Sequence, residues 1–104
     1  MHSMEKIQYA GLDDLNAFER EILDKIAPQY YEKYTRYLQN EVSLKIHLKS
    51  YSNEGKQKKF SINIKVSAPT KIFESSAADW DFSRTLHKSF KDIENQLEHH
   101  FKKA

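Results

Sequence analysis

Residues 42–51, VSLKIHLKSY, alternate apolar and polar from Val42 through Lys49. Val42, Leu44, Ile46 and Leu48 take one parity, and Ser43, Lys45, His47, Lys49 and Tyr51 take the other. Successive side chains leave a strand on opposite sides, so the run carries one apolar face and one wet face. Residues 60–68, FSINIKVSA, repeat the pattern, with Phe60, Ile62, Ile64, Val66 and Ala68 set against Ser61, Asn63, Lys65 and Ser67. Asn53-Glu54-Gly55 between them has hairpin turn chemistry, so the two strands are expected to pair antiparallel. A sheet that alternates this cleanly needs cover on one face only. Val42, Leu44, Ile46, Leu48, Ile62, Ile64 and Val66 are therefore expected to face that cover.

Downstream of the hairpin, Pro69 ends the strand and residues 70–75 are expected to form a further short strand. Ser76-Ala77-Ala78 then leads into a helix for which Asp79 is the expected N-cap and Asp81 a first-turn carboxylate. Phe82, Leu86, Phe90, Ile93, Leu97 and Phe101 recur at steps of three or four, an uninterrupted apolar stripe. Upstream, residues 5–10 alternate as a short strand ended by Gly11. Asp13 or Asp14 is the expected cap of a helix buried through Leu15, Phe18, Ile22 and Ile26, and Pro28 is expected to break or kink it before it continues to about Leu38. Tyr30, Tyr31, Tyr34 and Tyr37 fall at helical spacing and are read as core or rim packing rather than as a binding site.

The element order is thus β-α-β-β-β-α. The predicted class is α+β: a four-stranded, mostly antiparallel sheet with two helices packed on one face. With 104 residues and 38% hydrophobic content, the chain suffices for one core. Residues 1–3 precede a second methionine and are expected to be an expression remnant, leaving residues 4–104 as a single domain. No apolar run approaches a membrane span and no hydrophobic signal region opens the chain, so no membrane partner and a cytoplasmic location are expected. The absence of cysteine suits a reducing compartment and rules out thiolate ligands and nucleophiles.

Catalysis finds no foothold. Asp79 and Asp81 sit where a helix start stabilises carboxylates, and His99 and His100, being adjacent, diverge by about 100° on a helix and cannot share one metal. With only Gly11 and Gly55, the chain lacks a phosphate-cradling glycine loop or dinucleotide fingerprint. No catalytic residue, metal, cofactor or small-molecule substrate is expected.

Charge is uneven along the chain. Residues 1–40 hold 5 basic and 7 acidic groups, residues 41–75 hold 7 and 3, and residues 76–104 hold 5 and 5. The wet face of the strands contributes Lys45, His47, Lys49 and Lys65, the hairpin region Lys56, Lys58 and Lys59. On the last helix Arg84, Lys88, Lys91, Asn95, His99 and Lys102 form one line. Lysines spread over ~20 Å can hold RNA phosphates while reading little sequence. Lysine-rich strands also simply keep a sheet soluble, and both readings stand on charge alone. The RNA-binding candidates are Lys45, Lys49, Lys65, Arg84, Lys88, Lys91 and Lys102.

The segment Asp81-Phe82-Ser83-Arg84-Thr85-Leu86 through Ile93-Glu94-Asn95-Gln96-Leu97 resembles the final helix of the short ribosome hibernation-promoting and ribosome-associated inhibitor family. There an acidic residue opens a helix with an apolar stripe and a late Gln-Leu. The resemblance implies a stress-response factor, without enzymatic activity, that sits in the messenger and transfer RNA channel of the small ribosomal subunit. It would contact ribosomal RNA and neighbouring ribosomal proteins and keep idle ribosomes from initiating. Family members carry basic residues late in this helix, at positions that align with Asp92 and Asn95, where the match fails; Lys88 and Lys91 lie one turn earlier on the same faces. Longer members add a dimerising domain that 104 residues leave no room for, so a monomer off the ribosome is expected. Two rivals remain. A double-stranded RNA-binding domain also ends in three strands and a helix, but grips phosphates with lysines where Asp79 and Asp81 stand here. A protein-interaction module would use a sheet edge or the tyrosine-rich helix half.

Overall fold

The computed structural model describes residues 6–52 and 57–102, with side chains described through His100. The hairpin turn at 53–55, together with Lys56 and the side chains of Phe101 and Lys102, lies outside the described residues. The elements run β1 (Ile7–Ala10), a 3-10 turn (Leu12–Asp14), α1 (Ala17–Leu38), β2 (Ser43–Ser52), β3 (Lys58–Ser67), β4 (Ile72–Asp79) and α2 (Phe82–Lys102). One four-stranded sheet has the order β1-β2-β3-β4. β1 lies parallel to β2, and the other two pairings are antiparallel. The class is α+β, as the alternation and the two amphipathic stretches require.

Ten residue pairs, from Ser43 opposite Ser67 to Ser52 opposite Lys58, join β2 to β3. In this register Val42, Leu44, Ile46, Leu48, Phe60, Ile62, Ile64 and Val66 are all buried. They share one core with Leu23, Ala27 and Tyr34 of α1 and Phe82, Leu86, Phe90, Ile93 and Leu97 of α2. The buried serine and tyrosine hydroxyls of this layer are paired, whereas Glu94 Oε1 is buried with no hydrogen-bond partner. Ser75 Oγ donates to the Ser89 carbonyl at 2.8 Å, and Ser89 Oγ donates to the Ile62 carbonyl at 3.2 Å, which fastens α2 to β4 and β3. The buried Tyr34 hydroxyl donates to the Phe90 carbonyl at 2.7 Å, and the Tyr30 ring stacks on Phe90 with centroids 4.5 Å apart. The tyrosines of α1 thus serve packing, and burial pushes the Tyr34 hydroxyl well above its usual range.

Several sequence expectations are corrected. The cap of α1 is Asn16, not Asp13 or Asp14: its side chain accepts the Glu19 amide at 2.8 Å while Glu19 accepts the Asn16 amide at 3.0 Å, a complete capping box. The two aspartates belong to the preceding turn, where Asp14 accepts the Ser50 amide at 3.0 Å and ties the turn to β2. Phe18 is 69% exposed rather than buried. Pro28 does not break α1, which runs unbroken over 22 residues. The carbonyl deprived of its amide partner is that of Asp24, on the exposed side of the helix where water can serve it, while Leu23, Ala27 and Tyr34 anchor both halves to the core. β4 starts later than expected and extends through Ser76-Ala77-Ala78 to Asp79, because β3 offers partners as far as Phe60. Asp79 therefore belongs to the strand. Asp81 holds the start of α2, its carboxylate accepting the Arg84 amide at 2.9 Å and its carbonyl the Thr85 amide at 3.0 Å.

Gly11 has φ 89°, and a Cβ there would collide with the Leu48 carbonyl oxygen of β2. Gly11→Ala is expected to cost ~2 kcal/mol or more, combining left-handed strain with overlap against backbone that cannot rotate away. Phe90→Ala should cost ~3 to 5 kcal/mol through lost burial and a cavity, and Lys88→Ala, at a solvent-exposed ion pair, under ~1 kcal/mol. Urea unfolding midpoints of the three variants check this order; equal losses at Phe90 and Lys88 would contradict the assignment of faces.

Candidate nucleic-acid interface

Alternation places Gln8, Lys45, His47, Lys49, Asn63, Lys65, Glu74 and Ser76 on the exposed side of the sheet. Pairing sorts them into rows. Lys45 lies directly opposite Lys65, His47 opposite Asn63, and Lys49 opposite Ser61. Rows on one face follow one another at two-residue steps, about 7 Å apart. Lys45, His47, Asn63, Lys65, Glu74 and Ser76 line a shallow depression on this face.

Two lysines directly opposed across a strand pair bring like charges to within a few ångströms at Cβ, which destabilises the sheet. Glu74 is the cross-strand neighbour of Lys65 on the far side, yet Lys45, Lys49 and Lys65 make no ion pair among the described residues. The sheet thus presents three cations that are free to meet an external anion.

The basic line of α2 is in a different state. Asp79, at the end of β4, is gripped by Arg84 through Nε at 3.0 Å and Nη2 at 3.3 Å, and by Lys88 Nζ at 2.9 Å. The Arg84 and Lys88 hydrogen bonds, helped by the Trp80 amide, hold the Asp79 carboxyl well below the usual carboxylate range. Because the folded-state pKa is depressed, the stabilisation is present above the unfolded value of about 4 and is lost only as pH falls through the lower folded value. At neutral pH one carboxylate therefore offsets much of two of the seven candidate cations. Lys91 Nζ lies 3.9 Å from Glu94 Oε1, beyond hydrogen-bond reach, and remains largely exposed. Glu94 itself is buried and accepts Lys33 Nζ at 3.0 Å on its other oxygen, a tie between the helices. Asn95 and His99 are exposed along the same line, and Lys102 falls within α2.

Of the hairpin lysines, Lys58 has the parity of the buried face and lies 3.6 Å from Glu19 on the helix side. Lys59 is on the wet face, its Nζ 5.5 Å from the Trp80 ring centroid. Trp80 and Tyr51 were not among the sequence candidates. Tyr51 carries a signal in the sequence, an aromatic residue at a wet-face position; Trp80 carries none, because only the extension of β4 to Asp79 sets it in line with that face.

The acidic and histidine positions weighed for chemistry are occupied structurally or dispersed. Asp81 caps α2, Asp79 holds two cations, and the described residues contain no group of three or more His, Asp or Glu placed to hold a metal ion. No helix among the described residues is long and apolar enough to cross a membrane.

No family model and no curated protein matches the sequence. Among solved structures, the N-terminal domain of Protein Y from Thermus thermophilus superposes with a TM-score of 0.59 at 17% identity, covering 90% of this chain and 94% of that one. A ribosomal subunit interface protein from Coxiella burnetii superposes with a TM-score of 0.53 at 20% identity, covering 93% of this chain and 96% of that one. Both matches span nearly the full length of each partner, so the β-α-β-β-β-α architecture described above is the fold of these two proteins.

Proposed function

We propose that this protein is a non-enzymatic, ribosome-associated factor that binds ribosomal RNA of the small subunit in the channel used by messenger and transfer RNA, and holds idle ribosomes out of translation. The observation that carries the reading is the wet face of the sheet, where Lys45 and Lys65 oppose one another and neither they nor Lys49 is met by a carboxylate at ion-pair distance among the described residues. A fold shared over 93% of the chain with a ribosomal subunit interface protein supports the ribosome as the source of the polyanion.

Mechanistically, the rigid β2–β3 pair presents lysines at fixed spacing, so little ordering entropy is lost when phosphates dock. Each contact releases condensed counterions and makes affinity steeply salt-dependent. Specificity comes from the shape of the RNA surface rather than from base sequence. Arg84, Lys88 and Lys91 form a second contact line on α2, with Arg84 and Lys88 held in reserve by Asp79. The factor acts by occupancy, in the cytoplasm and as a monomer off the ribosome. A protein-interaction module would lack the steep salt dependence.

Co-sedimentation with purified small subunits across a salt series tests this, with circular dichroism as the fold control. Lys45→Glu combined with Lys65→Glu should weaken binding on the order of tenfold or more and lower the salt slope by about two, since two phosphate contacts turn repulsive. Wild-type affinity in that folded variant would remove the sheet from the interface. Asp79→Asn should tighten binding and steepen the slope, because it frees Arg84 and Lys88, while slightly lowering stability at neutral pH. An unchanged Asp79→Asn variant, with a sensitive sheet variant, would confine the interface to the sheet.

A further inference from the structure

One end of the wet face carries a feature that phosphate binding does not use. Tyr51 lies directly opposite Lys59, and Phe60 opposite Asp79, so Trp80, the next residue, continues the row on the far side of Lys59. Lys59 Nζ sits 5.5 Å from the Trp80 centroid, within cation–π range. Tyr51 is 53% exposed and Trp80, the chain's single tryptophan, is 47% exposed. Neither ring belongs to the core. The row therefore reads aromatic, cation, aromatic across three strand positions, about 10 Å from end to end. The rows behind it carry Lys49, then His47 and Asn63, then Lys45 and Lys65.

We propose that this row is a stacking platform for unpaired bases of single-stranded RNA, whose backbone continues over Lys49 toward Lys45 and Lys65. The proposal rests on the polyanion reading above and adds to it the chemical class of the ligand, a single strand rather than a duplex. Three observations select that class. Exposed flat rings offer π-faces to any base, and a base in a duplex has no free face to offer in return. The described positions around the rings on the same face are small or polar, Ser61, Asn63, Ser76 and Ala78, so among the described strand residues the rings do not extend into a contiguous apolar patch of the kind a protein partner buries. The rows behind the rings follow at steps of about 7 Å, a pitch on the order of one extended nucleotide, and lysines stand in the first and third of them, with His47 and Asn63 between.

The test uses the full chain and a short, fluorescein-labelled single-stranded oligoribonucleotide. An abasic strand of equal length carries the same phosphates, and a duplex of the same sequence serves as competitor. Trp80 fluorescence should be quenched by the base-bearing strand and not by the abasic one. Trp80→Leu and Tyr51→Leu should each weaken binding roughly 5- to 100-fold by fluorescence anisotropy, with the salt slope unchanged. Lys45→Glu with Lys65→Glu should instead lower the slope. Urea unfolding confirms that the leucine variants fold, as half-exposed positions should allow. Equal binding of abasic and base-bearing strands, wild-type affinity in Trp80→Leu, or equal competition by the duplex would each overturn the platform. In the first two cases a surviving salt slope would leave the polyanion reading standing; loss of binding to both strands and to small subunits would overturn both.

Discussion

The ten-pair register of β2 on β3 is the constraint on which the rest of the molecule depends. Side chains alternate with a period of two, so a slip of one residue would turn Leu44, Ile46, Leu48, Ile62 and Ile64 to water and bring Lys45 and Lys65 against the helices. Burying lysine ammonium groups without partners, and exposing the core at the same time, makes every neighbouring register far less stable. The same register that closes the core also brings Lys45 and Lys65 face to face on the other side. Structure and candidate function are two faces of one pairing, and the cost of opposing like charges is outweighed by the apolar burial beneath them.

The helical layer is held by a small number of directional contacts laid over nonspecific apolar packing. The Ser75–Ser89–Ile62 chain of hydrogen bonds fixes α2 over β3 and β4, and the Tyr34 hydroxyl and the Lys33–Glu94 pair fix α1 against α2. The hydroxyl bonds satisfy polar groups that would otherwise be costly to bury, the Lys33 ammonium satisfies one of the two Glu94 oxygens, and each contact specifies one relative placement of two elements. Apolar stripes alone would allow the helices to slide. These contacts specify one placement of the helices over the sheet, and the sheet pairing sets the spacings that its other face offers to a ligand.

Electrostatics divides the basic residues into two populations. Lys45, Lys49 and Lys65 on the wet face of the sheet have no countercharge at ion-pair distance among the described residues, whereas Arg84 and Lys88 converge on one carboxylate. A solvent-exposed ion pair contributes little to stability, but it alters what the two cations present to a ligand, since an incoming phosphate must compete with Asp79. The basic line on α2 is the most regular charge pattern in the sequence. In the folded protein it is the more neutralised of the two surfaces, and the sheet is the more available one.

Period-two and period-three-to-four patterns were enough to determine the class, the element order and the core of the sheet and of α2, where residues such as Ile46, Ile62, Leu86 and Phe90 have one buried solution each; on α1 they pointed to Phe18, Ile22 and Ile26, whereas the fully buried positions are Leu23, Ala27 and Tyr34. The capping box of α1 was also written in the chain as Asn16 and Glu19, three apart, but the nearer aspartates gave a competing cap signal. Other features had no local signature. Whether Pro28 breaks a helix depends on whether the carbonyl it orphans faces water and whether both halves are anchored, and both are properties of packing. The length of β4 was set by β3, its partner, rather than by its own Ser-Ala composition, and that length moved Asp79 from a helix cap to an ion-pair hub. The direct opposition of Lys45 and Lys65, and the alignment of Tyr51, Lys59 and Trp80, join residues 20 or more positions apart or separated by a turn. Local sequence determines which face a side chain takes; only the pairing of strands decides which side chain stands beside it, because register is fixed by long-range burial.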